Sequence, residues 1–316
     1  MGRCLYCYEK IDDKEYIDYE YHQKCSKKFF GSTIPPKIEY SQSDMLELAE
    51  KVVKSQRTVT GVQAKISLGV KKMTGDSSNK RFTIVGLWSQ YILKPQAELY
   101  KELPELEDVT MHLAESANIK VVPHSLIRLK SGELAYITRR VDRSKNQKLH
   151  MEDMCQLTER LTEHKYQGSH EQIAKAINLY ASNPGLDKVN FYELVLFCYL
   201  TGNNDMHLKN FSLLKDKSKE YNLCPAYDLV ASELVVEGDD EELALNLNGK
   251  MKRLEKEDFE AAMATSKINT KASQNILKKF VNIKATWDEI IDKSFISRGM
   301  KNQYKEMIES KLKILN

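Results

Sequence analysis

Residues 201–214 read TGNNDMHLKNFSLL, and residues 224–229 read CPAYDL. Within these stretches Asp205 and Asn210 stand five positions apart, and Asp228 follows eighteen residues after Asn210. This spacing is typical of a phosphoryl-transfer site, in which the first Asp orients the accepting hydroxyl group while the Asn and the second Asp hold a metal ion beside the phosphates. The spacing alone leaves a second interpretation open, a polar loop whose acidic residues are there by chance.

The sequence around this loop predicts the elements that hold it. Residues 191–201 form an apolar run that predicts a buried helix leading into the loop, and residues 210–214 predict a short strand leaving it. Inside the loop, His207 is either a polar group of the pocket or a hydrogen-bonded histidine that holds the loop, and the structural role is favoured. Lys209 either neutralises charge on a transferred phosphoryl group or is a solvated loop residue.

Composition excludes several classes of function. The chain has 316 residues, and 48 Lys and Arg against 45 Asp and Glu give a net charge of +3. This balance argues against nucleic acid or an anionic membrane as the main partner. No apolar run approaches the roughly twenty residues of a membrane span, and the N-terminus lacks the apolar region of a signal peptide. The sequence therefore predicts a cytoplasmic protein.

The first forty residues carry a separate motif. Cys4 and Cys7 form one pair of candidate metal ligands, and His22 and Cys25 form a second. Thiolates and an imidazole at this spacing suit a closed, structural zinc site, which would order a segment too small to have its own core. Alternatively, the cysteines are incidental and the histidine lies on the surface. We therefore expect residues 1–40 to form a zinc-knuckle-like segment and a linker.

The remaining chain changes from strand-like to helix-like sequence. Residues 41–148 are expected to form a β-rich lobe with helices at 42–56 and 105–117 and a hairpin over 121–140, and residues 149–316 a helical lobe. Helices are predicted at 151–161, 171–181, 188–200 and from about 257, with a late hairpin at 243–251. This order predicts an α+β, bilobal, protein-kinase-like fold with a small β-rich N-lobe and a large helical C-lobe.

Two features of the β-rich lobe are candidates for binding phosphates. Lys94 ends an apolar strand, from which it can reach nucleotide phosphates with Glu107 as the supporting carboxylate; the alternative is a lysine that extends into water. Thr60, Gly61 and Val62 lie in a turn that can cover phosphates. That turn has one glycine where kinases have a G-x-G-x-x-G loop, so an ordinary hairpin turn is the alternative.

Six motifs in the same order resemble the HipA family of bacterial Ser/Thr protein kinases, which are toxins of toxin–antitoxin modules; they lie at residues 58–68, 91–95, 139–143, 152–156, 204–212 and 225–229. The resemblance covers about residues 55–300. It implies that Asp205 is the catalytic base, that Asn210 and Asp228 bind Mg²⁺, and that Lys94 binds ATP. It also places the family's autophosphorylated serine at Thr58, with Thr60 as a second candidate hydroxyl.

The resemblance further implies a biological role. Relatives phosphorylate an aminoacyl-tRNA synthetase, which arrests translation and growth, and they are held by a DNA-binding antitoxin of the HipB type. This chain has 57 residues before the phosphate-binding turn, where long members carry an additional subdomain. It is therefore similar to the short, split members, in which a separate small HipA-N-like protein is the partner or antitoxin.

Two other functions are compatible with this sequence. One is a small-molecule phosphotransferase with the same lobe order, although no substrate-pocket motif supports it. The other is a catalytically weak kinase fold that serves as a binding module. The presence of both aspartates and Asn210 argues against an inactive site, because inactive kinases usually lack at least one metal ligand.

Overall fold

The computed structural model describes residues 2–12, 14–48, 65–73, 76–85, 89–144, 147–238 and 240–315. Contacts divide the chain into two units. The first unit consists of Met1–Asp108, Val122–Asn146 and Lys293–Phe295. The second unit consists of Val109–Val121, Gln147–Asp292 and Ile296–Asn316.

A five-stranded antiparallel sheet forms the centre of the first unit, in the order β2-β1-β3-β5-β4. Its strands are β1 Ile66–Met73, β2 Asp76–Ile84, β3 Tyr91–Lys94, β4 His124–Arg128 and β5 Leu134–Arg139. The short strand β6, Arg143–Ser144, follows β5 along the chain and is not part of this sheet. The predicted hairpin is confirmed as β4 and β5. Buried and less buried positions alternate at the start of β1, whereas β4 and β5 are buried over most of their length, so the sheet packs into the core of this unit.

The N-terminal residues pack into that same core. They form α1 (Lys14–Ile17), α2 (Gln23–Phe30) and α3, which covers residues 42–48 of the described chain. Leu5, Phe29 and Phe30 belong to one apolar cluster with residues of β1 and β3. The first forty residues therefore contribute directly to the interior of the first unit.

The second unit is mostly helical and is centred on one apolar helix. Its helices are α5 Met154–Leu157, α6 His170–Tyr180, α7 Pro184–Leu200, α8 Lys256–Thr265, α9 Thr270–Val281, α10 Lys284–Lys293 and α11 Arg298–Leu312. Helix α7 is apolar on nearly every side, which is typical of a helix surrounded by others. In the described part of the chain, no helix has the length and hydropathy that a bilayer-spanning segment requires.

A small sheet accompanies these helices. It has the order β10-β9-β8 and is built from β8 Met151–Asp153, β9 Ser212–Lys215 and β10 Tyr221–Leu223; β7 covers Gln147–Lys148. The helix α4, Leu103–Ser116, confirms the helix predicted at 105–117.

One predicted element is wrong, and a second is shorter than predicted. The helix predicted at 151–161 is strand β8 followed by the single turn α5, because residues 151–153 pair with β9 and this tertiary pairing overrides the local helical pattern. The hairpin predicted at 243–251 is a single bridge between Leu247 and Lys250. Its Asn248-Gly249 turn does form, with both residues at positive φ.

Candidate active site

The loop that contains Asp205 begins at a glycine in the left-handed backbone conformation. Helix α7 ends at Leu200, and Gly202 follows with φ of 63° in the left-handed region. A Cβ atom on Gly202 would lie 2.6 Å from Sδ of Met307. The left-handed backbone favours glycine here, and a larger residue would also have to displace the flexible end of Met307. This turn leads the chain out of the buried helix.

Asp205 and Asn210 lie in one short loop and are joined through the backbone. The Asn210 side-chain amide donates from Nδ2 to the Asp205 carbonyl oxygen at 3.1 Å. The Asp205 carboxylate is exposed, and its Oδ1 accepts a hydrogen bond from the Tyr166 hydroxyl at 2.6 Å. This geometry fixes the loop while one carboxylate extends from it, as a base that receives a substrate proton requires.

A second set of contacts holds the loop from its buried side. The Asn204 backbone N–H donates to Oγ of Ser232 at 3.0 Å, and the Asn204 side-chain amide donates to the Glu241 carbonyl at 3.2 Å. Both Asn204 and Ser232 are buried. Buried polar groups are costly unless they are paired, so these contacts stabilise one conformation of the loop.

His207 is a buried, neutral side chain of the same loop. Burial lowers its pKa to about 4, and the nearby charges of Asp205 and Asp228 oppose that shift. The ring packs edge-on against Tyr166, with ring centroids 5.0 Å apart. Among the described residues, the buried Nδ1 atom of His207 has no hydrogen-bond partner, so the loop-holding role of this histidine stays a prediction.

Lys209 is held by an acidic residue that the sequence analysis did not single out. Its Nζ atom lies 2.7 Å from Oδ2 of Asp153. Asp153 ends β8 and caps α5 in a reciprocal capping box with Gln156. The D-x-x-Q spacing of a capping box was visible in the sequence and could have placed Asp153 at this junction.

Asp228 is attached to the strand that leaves the loop. Asp228 has φ of 58°, an uncommon left-handed conformation for a residue other than glycine. The preceding residue, Tyr227, hydrogen bonds to Ser212 at 2.5 Å and to the Lys209 carbonyl at 3.1 Å. Because Ser212 follows Asn210 by two positions, these bonds tie the segment of Asp228 to the segment of Asn210.

The predicted phosphate-binding residue Lys94, in the first unit, is part of a buried ion pair. Lys94 ends β3, and its Nζ lies 2.5 Å from Oε1 of Glu107 on α4. The side chains of Lys94 and Glu107 are 6% and 2% exposed. The ammonium also lies 5.3 Å from the centre of the Tyr136 ring. The lysine therefore does not extend into water, as the alternative interpretation required.

The chemistry of these side chains suits the groups that a kinase binds. Asn210 and Asp228 offer an amide oxygen and a carboxylate, the oxygen ligands that Mg²⁺ prefers. A lysine paired with a carboxylate, like Lys94 with Glu107, is the group that kinases use to hold nucleotide phosphates. The four side chains Cys4, Cys7, His22 and Cys25 also come together, with all donor atoms within 4.8 Å of one another. Thr58, Thr60, Gly61 and Val62 lie outside the described residues.

Comparison with protein families shows which family the chain belongs to. The sequence model of the HipA-like C-terminal domain matches residues 57–287. The chain belongs to the HipA-like C-terminal domain family.

Two curated relatives are a protein named as a candidate kinase from Haemophilus influenzae and the candidate kinase Y4dM from Sinorhizobium fredii. The first is 30% identical over 62% of this chain and 58% of its own length. The second is 29% identical over 73% of this chain and 59% of its own. The chain thus spans less than two thirds of these relatives.

Two solved structures share the fold of this HipA-like chain. One is HipA in a complex of HipA, HipB and operator DNA from Shewanella oneidensis, with a TM-score of 0.69 and 21% identity, over 84% of this chain and 70% of that one. The other is the proinflammatory kinase CtkA of Helicobacter pylori, with a TM-score of 0.54 and 18% identity, over 79% of this chain and 94% of that one. These matches confirm the predicted α+β, kinase-like fold.

Proposed function

We propose that this HipA-like chain is a Ser/Thr protein kinase that uses Mg²⁺ and ATP. The observation that carries the proposal is the loop of Asp205 and Asn210. In it, the amide of Asn210 is fixed on the Asp205 carbonyl while the Asp205 carboxylate is exposed and held by Tyr166. A family relationship to candidate kinases supports the same conclusion. Phosphoryl transfer depends mainly on positioning and charge, which a fixed loop of this kind provides.

Each site residue is proposed to have one role. Asp205 accepts the proton of the substrate hydroxyl group, and Asn210 and Asp228 hold the metal ion that neutralises phosphate charge. Lys94, supported by Glu107, binds nucleotide phosphates. Lys209 reduces charge on the transferred phosphoryl group from a position fixed by Asp153.

Autophosphorylation in the phosphate-binding turn is proposed as the control of this activity. The proposal rests on the resemblance of residues 58–68 to the corresponding HipA motif. Thr58 is the first candidate for the modified residue and Thr60 the second, and Gly61 and Val62 would complete the turn. Mass spectrometry of protein incubated with Mg²⁺ and ATP is expected to find phosphate on Thr58 or Thr60. Unmodified threonines in a protein that phosphorylates other substrates would remove this proposal.

The proposed biological role is that of a toxin in a HipBA-like or split HipBST-like module. Membership of the HipA-like family supports it, as does the fold shared with a HipA that is bound to HipB and operator DNA. A HipB-like DNA-binding antitoxin is the first proposed partner, and a separate small HipA-N-like protein is the second. An aminoacyl-tRNA synthetase is the proposed substrate, by resemblance to the family.

Transfer of labelled phosphate from ATP into a cell lysate tests the proposed activity. The wild-type protein is expected to label a protein band, and the Asp205→Ala variant is expected to label none. Label in a small molecule would instead identify a phosphotransferase with a small substrate. Binding of ATP without transfer into either fraction would identify a binding module.

A further inference from the structure

Four side chains of the types that bind metals lie close together, where the N-terminal turn (residues 4–10) approaches the start of α2. Sγ of Cys7 lies 3.4 Å from Nδ1 of His22, and Sγ of Cys25 lies 3.8 Å from the same atom. In a tetrahedral zinc site, bonds of about 2.3 Å to sulfur and about 2.0 Å to nitrogen place these two ligand types about 3.5 Å apart. The observed distances therefore agree with the edges of a zinc tetrahedron.

The tautomer of His22 is the one that a zinc ligand requires. Its Nε2 atom lies 3.0 Å from the carbonyl oxygen of Lys10. A carbonyl oxygen only accepts hydrogen bonds, so Nε2 carries a proton and Nδ1 is the ring nitrogen that faces the two sulfur atoms. A ligating histidine usually donates its other ring N–H to a carbonyl or carboxylate in this way.

The three sulfur atoms and the imidazole form one compact cluster. Cys4 and Cys25 are buried. Three sulfurs and one imidazole within 4.8 Å match in number and type the four ligands of a structural zinc site, which leaves no position for a substrate.

The residue after Cys7 connects this cluster to α4. Tyr8, with φ of 63°, donates from its hydroxyl group to Oδ2 of Asp108 at 2.6 Å. Asp108 is completely buried, and its other oxygen accepts a hydrogen bond from Nδ1 of His124 at 2.7 Å. Asp108 directly follows Glu107, the residue that pairs with Lys94.

The N-terminal turn is also bonded to the edge of the sheet. The carbonyl oxygen of Leu5 accepts hydrogen bonds from the backbone N–H of Leu126 at 3.2 Å and from Oγ of Ser125 at 3.1 Å. The Asp108–His124 hydrogen bond joins α4 to β4, and the N-terminal turn contacts both of these elements. A change in the turn would reach α4 through Tyr8 and β4 through Leu5.

We propose that Cys4, Cys7, His22 and Cys25 bind one structural Zn²⁺ ion, and that the bound ion holds Tyr8 on Asp108 and so fixes the part of α4 that carries Glu107. The first step concerns the metal and the fold of the first unit alone. Its consequence for the affinity of Mg-ATP, through the Lys94–Glu107 pair, rests on the proposed function.

Metal analysis tests the first step. The freshly purified full chain is expected to contain about one equivalent of zinc, and Co²⁺ substituted for it is expected to show the visible absorption of tetrahedral thiolate ligation. His22→Ala should lose the zinc, whereas His22→Cys keeps four ligands and should retain it. Cys198→Ala, which removes a buried thiol of α7, is the matched control and should keep the full equivalent. A disulfide within the cluster, or wild-type protein without zinc after purification in the absence of chelator, would overturn the proposal.

Hydrogen exchange tests the second step without relying on catalysis. Tyr8→Phe keeps all four ligands and should retain zinc, yet the amides of α4 around Asp108 are expected to exchange about tenfold faster, because the hydrogen bond to Asp108 is lost. Removal of zinc from the wild-type protein by a chelator should accelerate the same amides. Unchanged exchange of α4 in Tyr8→Phe would contradict the link. If the wild-type protein binds no ATP, the proposed function fails, while zinc content and exchange still decide this inference.

Discussion

The hydroxyl group of Tyr166 donates a hydrogen bond to Oδ1 of Asp205 at 2.6 Å, although the two residues are 39 positions apart. The Tyr166 ring also packs edge-on against His207. Tyr166, which lies outside the loop, thus contacts two loop residues. These are Asp205, the proposed base, and His207, whose imidazole is neutral. Tyr166 is a positioning residue in this account.

Removal of the Tyr166 hydroxyl should slow phosphoryl transfer without weakening nucleotide binding. In Tyr166→Phe the ring remains against His207 but the carboxylate loses one hydrogen bond, so we expect kcat to fall about three- to tenfold while KM for ATP stays unchanged. Steady-state kinetics with Mg-ATP measures both constants. Tyr180→Phe is the matched control, because Tyr180 is 46% exposed and Tyr166 is 47% exposed in the same unit. Equal kcat values for the two variants would argue against the positioning role.

The Lys94–Glu107 pair allows a structural role to be separated from a functional one. Lys94→Met leaves the buried Glu107 carboxylate without its ammonium partner, and loss of one partner of a buried pair costs about 3–5 kcal/mol of unfolding free energy. Replacement of both residues, Lys94→Met with Glu107→Leu, removes the buried carboxylate as well and should restore most of that free energy. Urea unfolding of both variants measures the difference.

Nucleotide binding should not recover in the same double variant. If Lys94 binds phosphates, its ammonium is absent in both variants, and both should bind Mg-ATP at least about tenfold more weakly than the wild type. Isothermal titration provides the Kd values. Wild-type affinity in the double variant would assign the pair to folding alone.

His170 should make the protein less stable in mild acid. The ring is buried, neither nitrogen has a hydrogen-bond partner among the described residues, and burial lowers its pKa to about 3. The unfolded chain gains this proton below pH ~6.5, while the folded chain does not gain it until about pH 3. The unfolding free energy therefore falls as the pH is lowered through this window, by about 2 kcal/mol between pH 7 and pH 5.

Substitution of His170 by Phe should remove this contribution. The site is already aromatic, with the rings of Phe191 and Phe211 centred 5.9 Å and 6.2 Å away. Any packing cost of His170→Phe applies at both pH values, so it cancels when the change from pH 7 to pH 5 is compared with that of the wild type. Urea unfolding at the two pH values measures this difference. An identical pH dependence in both proteins would show that His170 is not the group that titrates.

Much of the fold could be predicted because its signals are local. The apolar run of α7, the short apolar run of β3 and the hairpin of β4 and β5 each occupy one continuous stretch of sequence. The three residues of β8 have no such signal, because they become a strand only by pairing with β9. Local pattern therefore predicted a helix where a long-range pairing decides the structure.

The residues of the candidate site show the same difference between local signals and long-range contacts. Asp205, Asn210 and Asp228 could be proposed from their spacing, because the first two share one loop and Asp228 follows shortly after strand β10. Tyr166 and Asp153 were missed, since their contacts with the loop join residues 39 and 56 positions apart. Such contacts depend on how α5 and the turn after it pack beside the loop, and no motif of the loop contains that information.

The most direct test of the central claim is the rate of phosphoryl transfer in a single turnover by the wild type and by Asp205→Asn. The substitution preserves the shape of the side chain and leaves Asn210 and Lys94 in place. If Asp205 is the base, the rate should fall by about 10²- to 10⁴-fold while the Kd for Mg-ATP changes by less than about twofold. A variant that transfers phosphate at the wild-type rate would contradict the account.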